Sequence, residues 1–441
     1  MGFKTNALAM VSVLAAAGSA AMADGPPQYR LILLGRPDTS LQDRAARINS
    51  LGDIGGSSRV FIEAAQGDGV GVHRERPVIW RRGGRQAPEV LSFTSNIHQS
   101  WTTGIDDEGR VFSHTNENTG VHSMFDGKQH DFYLEPGEAD LPDWQRDVSD
   151  VSENGFVAGK ALQRTAPPGA PWGNYQPATL WNPDGSRLVQ LGTLGGHTGV
   201  ASGVNNKGWA CGSTQKEEAL NAPFVPFFSI DGVMFEAALP AGALSGSASV
   251  RKLNNDGIGV GEMRLGFTTN SRAVVWNGLT NEAELLPQFG ADLTPFDMAD
   301  DVNDNALIIG RSSTANDFGK GVVWLDGQVF DIEALIVESD APIIQTGGGL
   351  TLRAVNGYDE IVGYGFFSVA GVPVSESSFA FVLIPVCPAD LNGDRFINFV
   401  DVIKYVDEFA SERQRADINR DGLHDFTDVI AYLQRFAAGC P

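Results

Sequence analysis

The chain has little of what usually announces an enzyme or a membrane protein. Only three of its 441 residues are cysteine, and Lys and Arg number 32 against 54 Asp and Glu, for a net charge of −22. Basic residues gather nowhere beyond Arg81-Arg82 and Arg85, so nucleic acid and anionic membrane surfaces are repelled and excluded as partners. Past the first 23 residues no apolar run approaches the length of about 20 that a spanning helix needs, and no transmembrane segment is expected. There is no G-x-S-x-G, no P-loop and no H-E-x-x-H, which removes the serine-hydrolase elbow, the nucleotide cradle and the helical zinc site.

What is present begins with Lys4, the small and apolar stretch Ala7 to Ala17, and Ala21-Met22-Ala23 before Asp24. Those are the three parts of a secretory signal, so residues 1–23 are expected to be removed and the protein secreted, to the periplasm, cell surface or medium. Cys387 and Cys440 bracket the last segment of the chain. In an oxidising compartment that placement predicts a disulfide clasp contributing roughly 4 kcal/mol to a unit too small for a large core. Cys211, inside a predicted strand, is expected to be a buried thiol.

Residues 24–386 are repetitive. An apolar residue, Asn or Asp, two polar residues and Gly lead into an apolar run at Val204-Asn205-Asn206-Lys207-Gly208, Leu253-Asn254-Asn255-Asp256-Gly257 and Val302-Asn303-Asp304-Asn305, with weaker copies from Ala65, Ile105, Val151 and Val355. A second signal keeps step with it: β-branched and aromatic runs ending in a turn, as in Val78-Ile79-Trp80, Val274-Val275-Trp276 and Val322-Val323-Trp324-Leu325-Asp326-Gly327. Asp-Gly after such a run predicts a type I′ hairpin, because both central residues need positive φ. Seven copies at a spacing of about 50 residues predict a mainly β fold, a propeller of about seven four-stranded blades, with a stacked solenoid as the competitor. Pairing the lone strand Tyr29 to Leu34 with Phe379 to Val386 would close the ring and hide its edges.

Two further stretches, Leu51-Gly52-Asp53-Ile54-Gly55-Gly56 and Leu191-Gly192-Thr193-Leu194-Gly195-Gly196, accompany the Asn and Trp elements. Together these resemble the HAF family of extracellular bacterial repeats over roughly residues 30 to 386. The resemblance implies an exported, repeated β fold and carries no chemistry.

The last segment, 387–441, carries chemistry. From Asp390 the side chains of Asp390, Asn392, Asp394, Asn398 and Asp401 place oxygens at positions 1, 3, 5, 9 and 12 of a loop, and Phe396 offers its carbonyl at position 7. Asp417, Asn419, Asp421, Leu423, Asp425 and Asp428 repeat the pattern 27 residues later. Calcium takes six to eight such oxygens, and alternating carboxylates in a tight turn present them on one side. Two calcium ions are therefore expected. The first site should be the weaker, since Arg395 stands where Gly422 meets the backbone demand of the second turn.

An amphipathic helix is predicted after each loop, with Val402, Ile403, Val406 and Phe409 on the first and Val429, Ile430, Leu433 and Phe436 on the second. The duplicated loop and exit helix, with Asp at position 12 and flanking cysteines, resemble the type I dockerin module. The resemblance implies a small all-α calcium-binding domain that attaches the chain to a cohesin-like or cell-envelope protein. Phe399-Val400 and Phe426-Thr427 depart from the Ser/Thr pairs by which many dockerins meet cohesins.

Other candidates read as ordinary residues. His98, His114, His122 and His130 lack metal-ligand spacing, and Asp106-Asp107, Asp300-Asp301 and Asp304 are expected in turns. The reading is an exported binding or display protein whose propeller meets a polysaccharide or protein ligand. The rival is a polysaccharide-degrading glycoside hydrolase tethered by the dockerin-like unit, and paired acids at one channel mouth would favour it.

Overall fold

The computed structural model describes residues 28–38, 40–62, 72–81, 83–84, 86–91, 100–115, 122–125, 129–131, 147–161, 175–182, 187–217, 222–241, 248–265, 270–290, 296–314, 317–337, 349–369, 372, 378–387, 389–392, 396–419 and 421–439. The predicted signal and Cys440 lie outside them.

The described strands form seven four-stranded antiparallel sheets, six of them built from four consecutive strands. Their innermost strands are Asp43–Ile48, Ser100–Ile105, Asp147–Val151, Gly199–Val204, Ala248–Leu253, Met298–Val302 and Leu350–Val355, each packed against the next and the last against the first. The fold is a β-propeller. In the seventh sheet the outer strand comes from the N-terminal side: Tyr29–Leu33 pairs with Ser378–Pro385, Leu31 facing Leu383. The expected closure is thus observed. Ile384 and Pro385 belong to that paired strand, which continues through Val386 N–H to Gln28 O, 2.8 Å, so no linker separates it from the C-terminal segment.

The Asn of the repeat explains how neighbouring sheets are held. It follows the innermost strand, and its Oδ1 accepts two backbone N–H groups of its own turn, as Asn254 does from Asp256 and Ile258 at 3.1 and 2.9 Å. Its Nδ2 donates to the backbone of the next sheet: Asn205 to Asn254 O, Asn254 to Asn303 O, Asn303 to Asn356 O, and Asn356 across the closure to Asn49 O. Asn49 donates to Asp106 O at 2.8 Å. The chain of amides stops at Asp106 and Ser152, which carry no NH₂ to donate. Asn49, in Ile48-Asn49-Ser50-Leu51-Gly52, is the first-sheet member of this column, and the copy expected from Ala65 lies outside the described residues.

The aromatic signal marks the third strand of each sheet. The indoles of Trp80, Trp276 and Trp324, fully buried, donate to Gly35 O, Ala238 O and Pro287 O at 2.6 to 2.7 Å, each on the segment leaving the preceding sheet. Asp231-Gly232 and Asp326-Gly327 turn with φ of 53° and 78° and of 49° and 72°, the I′ geometry expected. The two Leu-Gly-x-Leu/Ile-Gly-Gly stretches are not equivalent. The first enters the second strand of the first sheet, whereas the second leaves the outer strand Arg187–Gly192.

The C-terminal segment folds into helices α1 (Phe399–Ala410) and α2 (Phe426–Ala438) around a small core of Ala389, Leu391, Tyr405, Ala416, Ile418 and Tyr432. Its members fall into pairs 27 residues apart in sequence, the spacing of the duplicated loops. Tyr405 and Tyr432, one such pair, stack at 4.0 Å with rings inclined by 1°. The predicted apolar faces divide in two. Val402, Phe409, Val429 and Phe436 line the core beside the tyrosines, whereas Ile403, Val406, Ile430 and Leu433 lie on the next stripe and are exposed.

Candidate functional site

Three places could carry function: the channel, the mouth where the repeat turns meet, and the two acidic loops. The channel is shaped by a defect common to all seven innermost strands. Each carries a β-bulge, at Ala46, Thr103, Ser149, Ser202, Arg251, Asp300 and Arg353. A bulge bends the strand and re-aims side chains, and here charges follow it. Asp150 meets Lys252 in a short ion pair and Arg47 at 3.6 Å, although these residues belong to the third, fifth and first sheets. They span the axis.

Burial sets the electrostatics of this cluster. It lowers the Lys252 ammonium, as does nearby Arg47, while Asp150 and Asp301 act in the other direction. Burial likewise raises Asp301, with Lys252 and Arg47 pulling it back. Asp150 and Asp301 also accept the N–H groups of Val204 and Val355, on the following sheets, at 3.2 and 3.0 Å. Asp300 and Asp301, expected in a turn, therefore stand in a channel strand. Sequence reasoning missed this column because the residues two and three places before the repeat Asn look like ordinary polar positions until the copies are aligned.

The mouth formed by the Asn turns is covered by the C-terminal segment. Arg413 Nη1 reaches Asp256 Oδ2 at 2.5 Å and Asp304 O at 2.8 Å. Arg415 Nη1 meets Asp359 Oδ2 at 2.7 Å, and its other nitrogens hold Glu408 of α1. Gln414 Nε2 approaches Glu153 Oε1 at 3.4 Å, and its side chain occupies the space a Cβ at Gly357 would need. Tyr358 Oη donates to Asp417 O at 3.1 Å. Residues of the third, fifth, sixth and seventh sheets are thereby tied to one turn of the C-terminal unit. Under it, burial and the charges of Asp107 and Asp304 push the Glu153 carboxyl up to about 7, against hydrogen bonds from Asn206 and Gln414.

In the second acidic loop position 6 takes the left-handed backbone that favours glycine: Gly422 has φ of 79°, and the space where a Cβ would stand is open to 4 Å. Asp417 accepts the N–H groups of Asp421 and Gly422 at 3.2 and 2.8 Å, and Asp421 accepts that of Leu423 at 2.9 Å. Asp428, fully buried, accepts from Asn419 and Asp425 at 3.2 and 3.0 Å. Position 9 serves as N-cap and position 12 closes a capping box in both loops, through Asn398 with Asp401 and Asp425 with Asp428.

In the first loop Asp401 gathers the N–H groups of Leu391, Asn392 and Asn398 at 2.9 to 3.3 Å. Asn392 is buried and Phe396 exposed, while Asp394 lies outside the described residues. Asp401 and Asp428 are buried carboxylates with no ion pair among the described residues, and every candidate donor is a hard oxygen. That donor chemistry fits calcium. Among the described residues, however, no three His, Cys, Asp or Glu gather as a metal group, and Asp401, Asp417 and Asp428 accept backbone N–H groups of their own loops. His114 stands against the ring of Trp101 at 4.9 Å. Cys211 is a free and fully buried thiol, raised by burial, as expected.

No family model matches the chain and no curated protein matches it. Among solved structures, the β-propeller domain of the trilobed protease from Pyrococcus furiosus is similar at 8% identity and a TM-score of 0.49, over 81% of this chain and 93% of that one. An oligogalacturonate lyase from Vibrio parahaemolyticus gives 10% identity and a TM-score of 0.44 over 81% and 97%. TolB from Acinetobacter baumannii gives 10% and 0.38 over 73% and 67%. No described helix is long and apolar enough to cross a membrane.

Proposed function

We propose that this is a secreted binding or display protein: a seven-bladed propeller that holds its ligand in the channel, joined to a dockerin-like, calcium-loaded unit that attaches it to a partner. The observation that carries this reading is the outer surface of the C-terminal unit. Phe399 and Phe426 are 72% and 73% exposed, and Ile403 with Ile430 and Val406 with Leu433 stand out beside them. Each pair is related by the internal duplication. Paired apolar patches of this kind on a charged protein mark a protein contact. Cohesin-like and cell-envelope proteins are the partners the reading allows.

Calcium would be held by Asp390, Asn392, Asp394, Phe396 O, Asn398 and Asp401 in one loop and by Asp417, Asn419, Asp421, Leu423 O, Asp425 and Asp428 in the other. When bound it supplies positive charge to carboxylates that the fold has buried. The chain's own part is to shape the turns, cap α1 and α2 with the same residues, and tie Asp417 to Tyr358. A Cys387–Cys440 disulfide would clasp the ends of the unit.

The enzyme reading is not favoured. Asp150 in the channel is matched by Lys252, and Glu153 at the mouth lies under Gln414. Calorimetric titration of the full chain with calcium tests the proposal. Two sites of unequal affinity are expected, with Asp417→Ala removing the tighter one, and absence of any calcium uptake would refute it.

A further inference from the structure

The middle of the channel holds cations that closure of the ring does not use. At the bulge level one side is small and hydroxylic, with Ala46, Thr103, Ser149 and Ser202, and the other side is Arg251, Asp300 and Arg353. Arg311 reaches toward Asp300 from the neighbouring strand. Asp300 is a poor partner for either neighbour. It stands 3.5 Å from Arg251 and 3.5 Å from Arg311, beyond the roughly 2.7–2.9 Å of a charge-assisted hydrogen bond. Asp300 Oδ1 and Arg311 Nε are buried with no hydrogen-bond partner among the described residues.

Arg353 has no ion pair among the described residues. After burial itself, the groups that act on it are Arg47, Asp300, Tyr364 and Arg251, two of them cations. A guanidinium keeps its proton in a protein, so this is a fixed, half-buried and uncompensated charge. The hydroxyls of Ser149 and Ser202, at the same level, also have no hydrogen-bond partner among the described residues. Deeper, by contrast, Arg47, Asp150, Lys252 and Asp301 balance one another. On a chain of net charge −22 a local site for anions must be built, and low-dielectric channel walls concentrate the field of a few arginines.

We propose that this level of the channel, with Arg353 and Arg251 facing Ser149 and Ser202, binds a small solute through an oxyanion, entering from the side of the ring away from the C-terminal unit. The oxyanion is a carboxylate, as on an acidic sugar, or a sulfate or phosphate. Planar guanidinium forks suit both, and serine hydroxyls supply the remaining donors. The inference rests on the binding reading of the propeller and names the chemistry of its ligand.

Calorimetry of the full chain at low ionic strength tests it with three probes: D-galacturonate, inorganic sulfate and uncharged galactose. Saturable one-to-one binding of galacturonate or sulfate is expected, with galactose silent; binding of one and not the other tells the carboxylated from the tetrahedral source. Arg353→Gln should weaken it by about tenfold or more, and Arg353→Lys by less, because the lone ammonium keeps charge and loses the fork. Removing an unpaired charge should leave the ligand-free melting temperature unchanged or higher, which shows that the variant folds. Ser202→Ala, with every arginine kept, should weaken binding by a few-fold. Silence with both oxyanions, or equal binding by Arg353→Gln, overturns the proposal. If galactose alone binds, the oxyanion site is refuted while the propeller remains a binding domain.

Discussion

At the scale of single residues, the repeat asparagine does two things at once, and both ends of its amide are needed. Asn254 fixes its own turn through Oδ1 and holds the next sheet through Nδ2 to Asn303 O at 3.0 Å. Asn254→Asp keeps the acceptor and loses the donor, so it should cost about 1–3 kcal/mol of unfolding free energy, with Asn254→Ala costing more, by urea titration. Glu153 gives a pH dependence of known sign. Its folded pKa of about 7 lies above the usual value of 4.5, so the folded state favours the protonated acid. Its contribution is fully present below about 4.5 and is lost as pH rises through about 7. Thermal melts across that window should show the loss in the wild type and a flatter profile in Glu153→Gln.

At the scale of elements, what could be read from sequence was whatever repeats with a physical reason visible in one copy. The third strands were legible from Trp and the Asp-Gly turns, and the closing pair was legible because Tyr29 to Leu34 had no partner in its own repeat. The first-sheet copy at Asn49 was hidden beneath the Leu51-Gly52 motif, which adjoins it. The channel charges were not legible, because a bulge of one residue is a property of pairing, and Arg251 or Asp300 alone reads as any exposed polar residue. In the C-terminal helices the period of 3.6 located the apolar residues and could not say which of two adjacent stripes would be buried. Tyr405 and Tyr432 decide that by stacking between α1 and α2. Asp428→Ala removes a buried acceptor of two loop N–H groups, so the first turn of α2 should fray, at a cost of about 1–2 kcal/mol seen as faster amide exchange there.

At the scale of the whole molecule, the C-terminal unit is no free appendage. Arg413, Gln414 and Arg415 seat it on the mouth, while its paired apolar patches face away. Under the proposed function, ligand binding and attachment would then use different surfaces. Arg415 is central to the seat, since it joins Asp359 to Glu408. Arg415→Ala leaves both carboxylates without their cation, and a loss of about 3 kcal/mol or more in the docking of the unit is expected, read as protease sensitivity near residue 413. The seat also ties the second acidic loop to the propeller, because Tyr358 donates to the carbonyl of Asp417.

The most direct measurement is hydrogen exchange on the full chain with calcium and with chelator. Protection of α1, α2 and the Arg413–Arg415 turn is expected with calcium and should be lost from all three together when calcium is removed, with the propeller strands unchanged. Equal protection of the C-terminal unit in both conditions would contradict the proposed calcium loading.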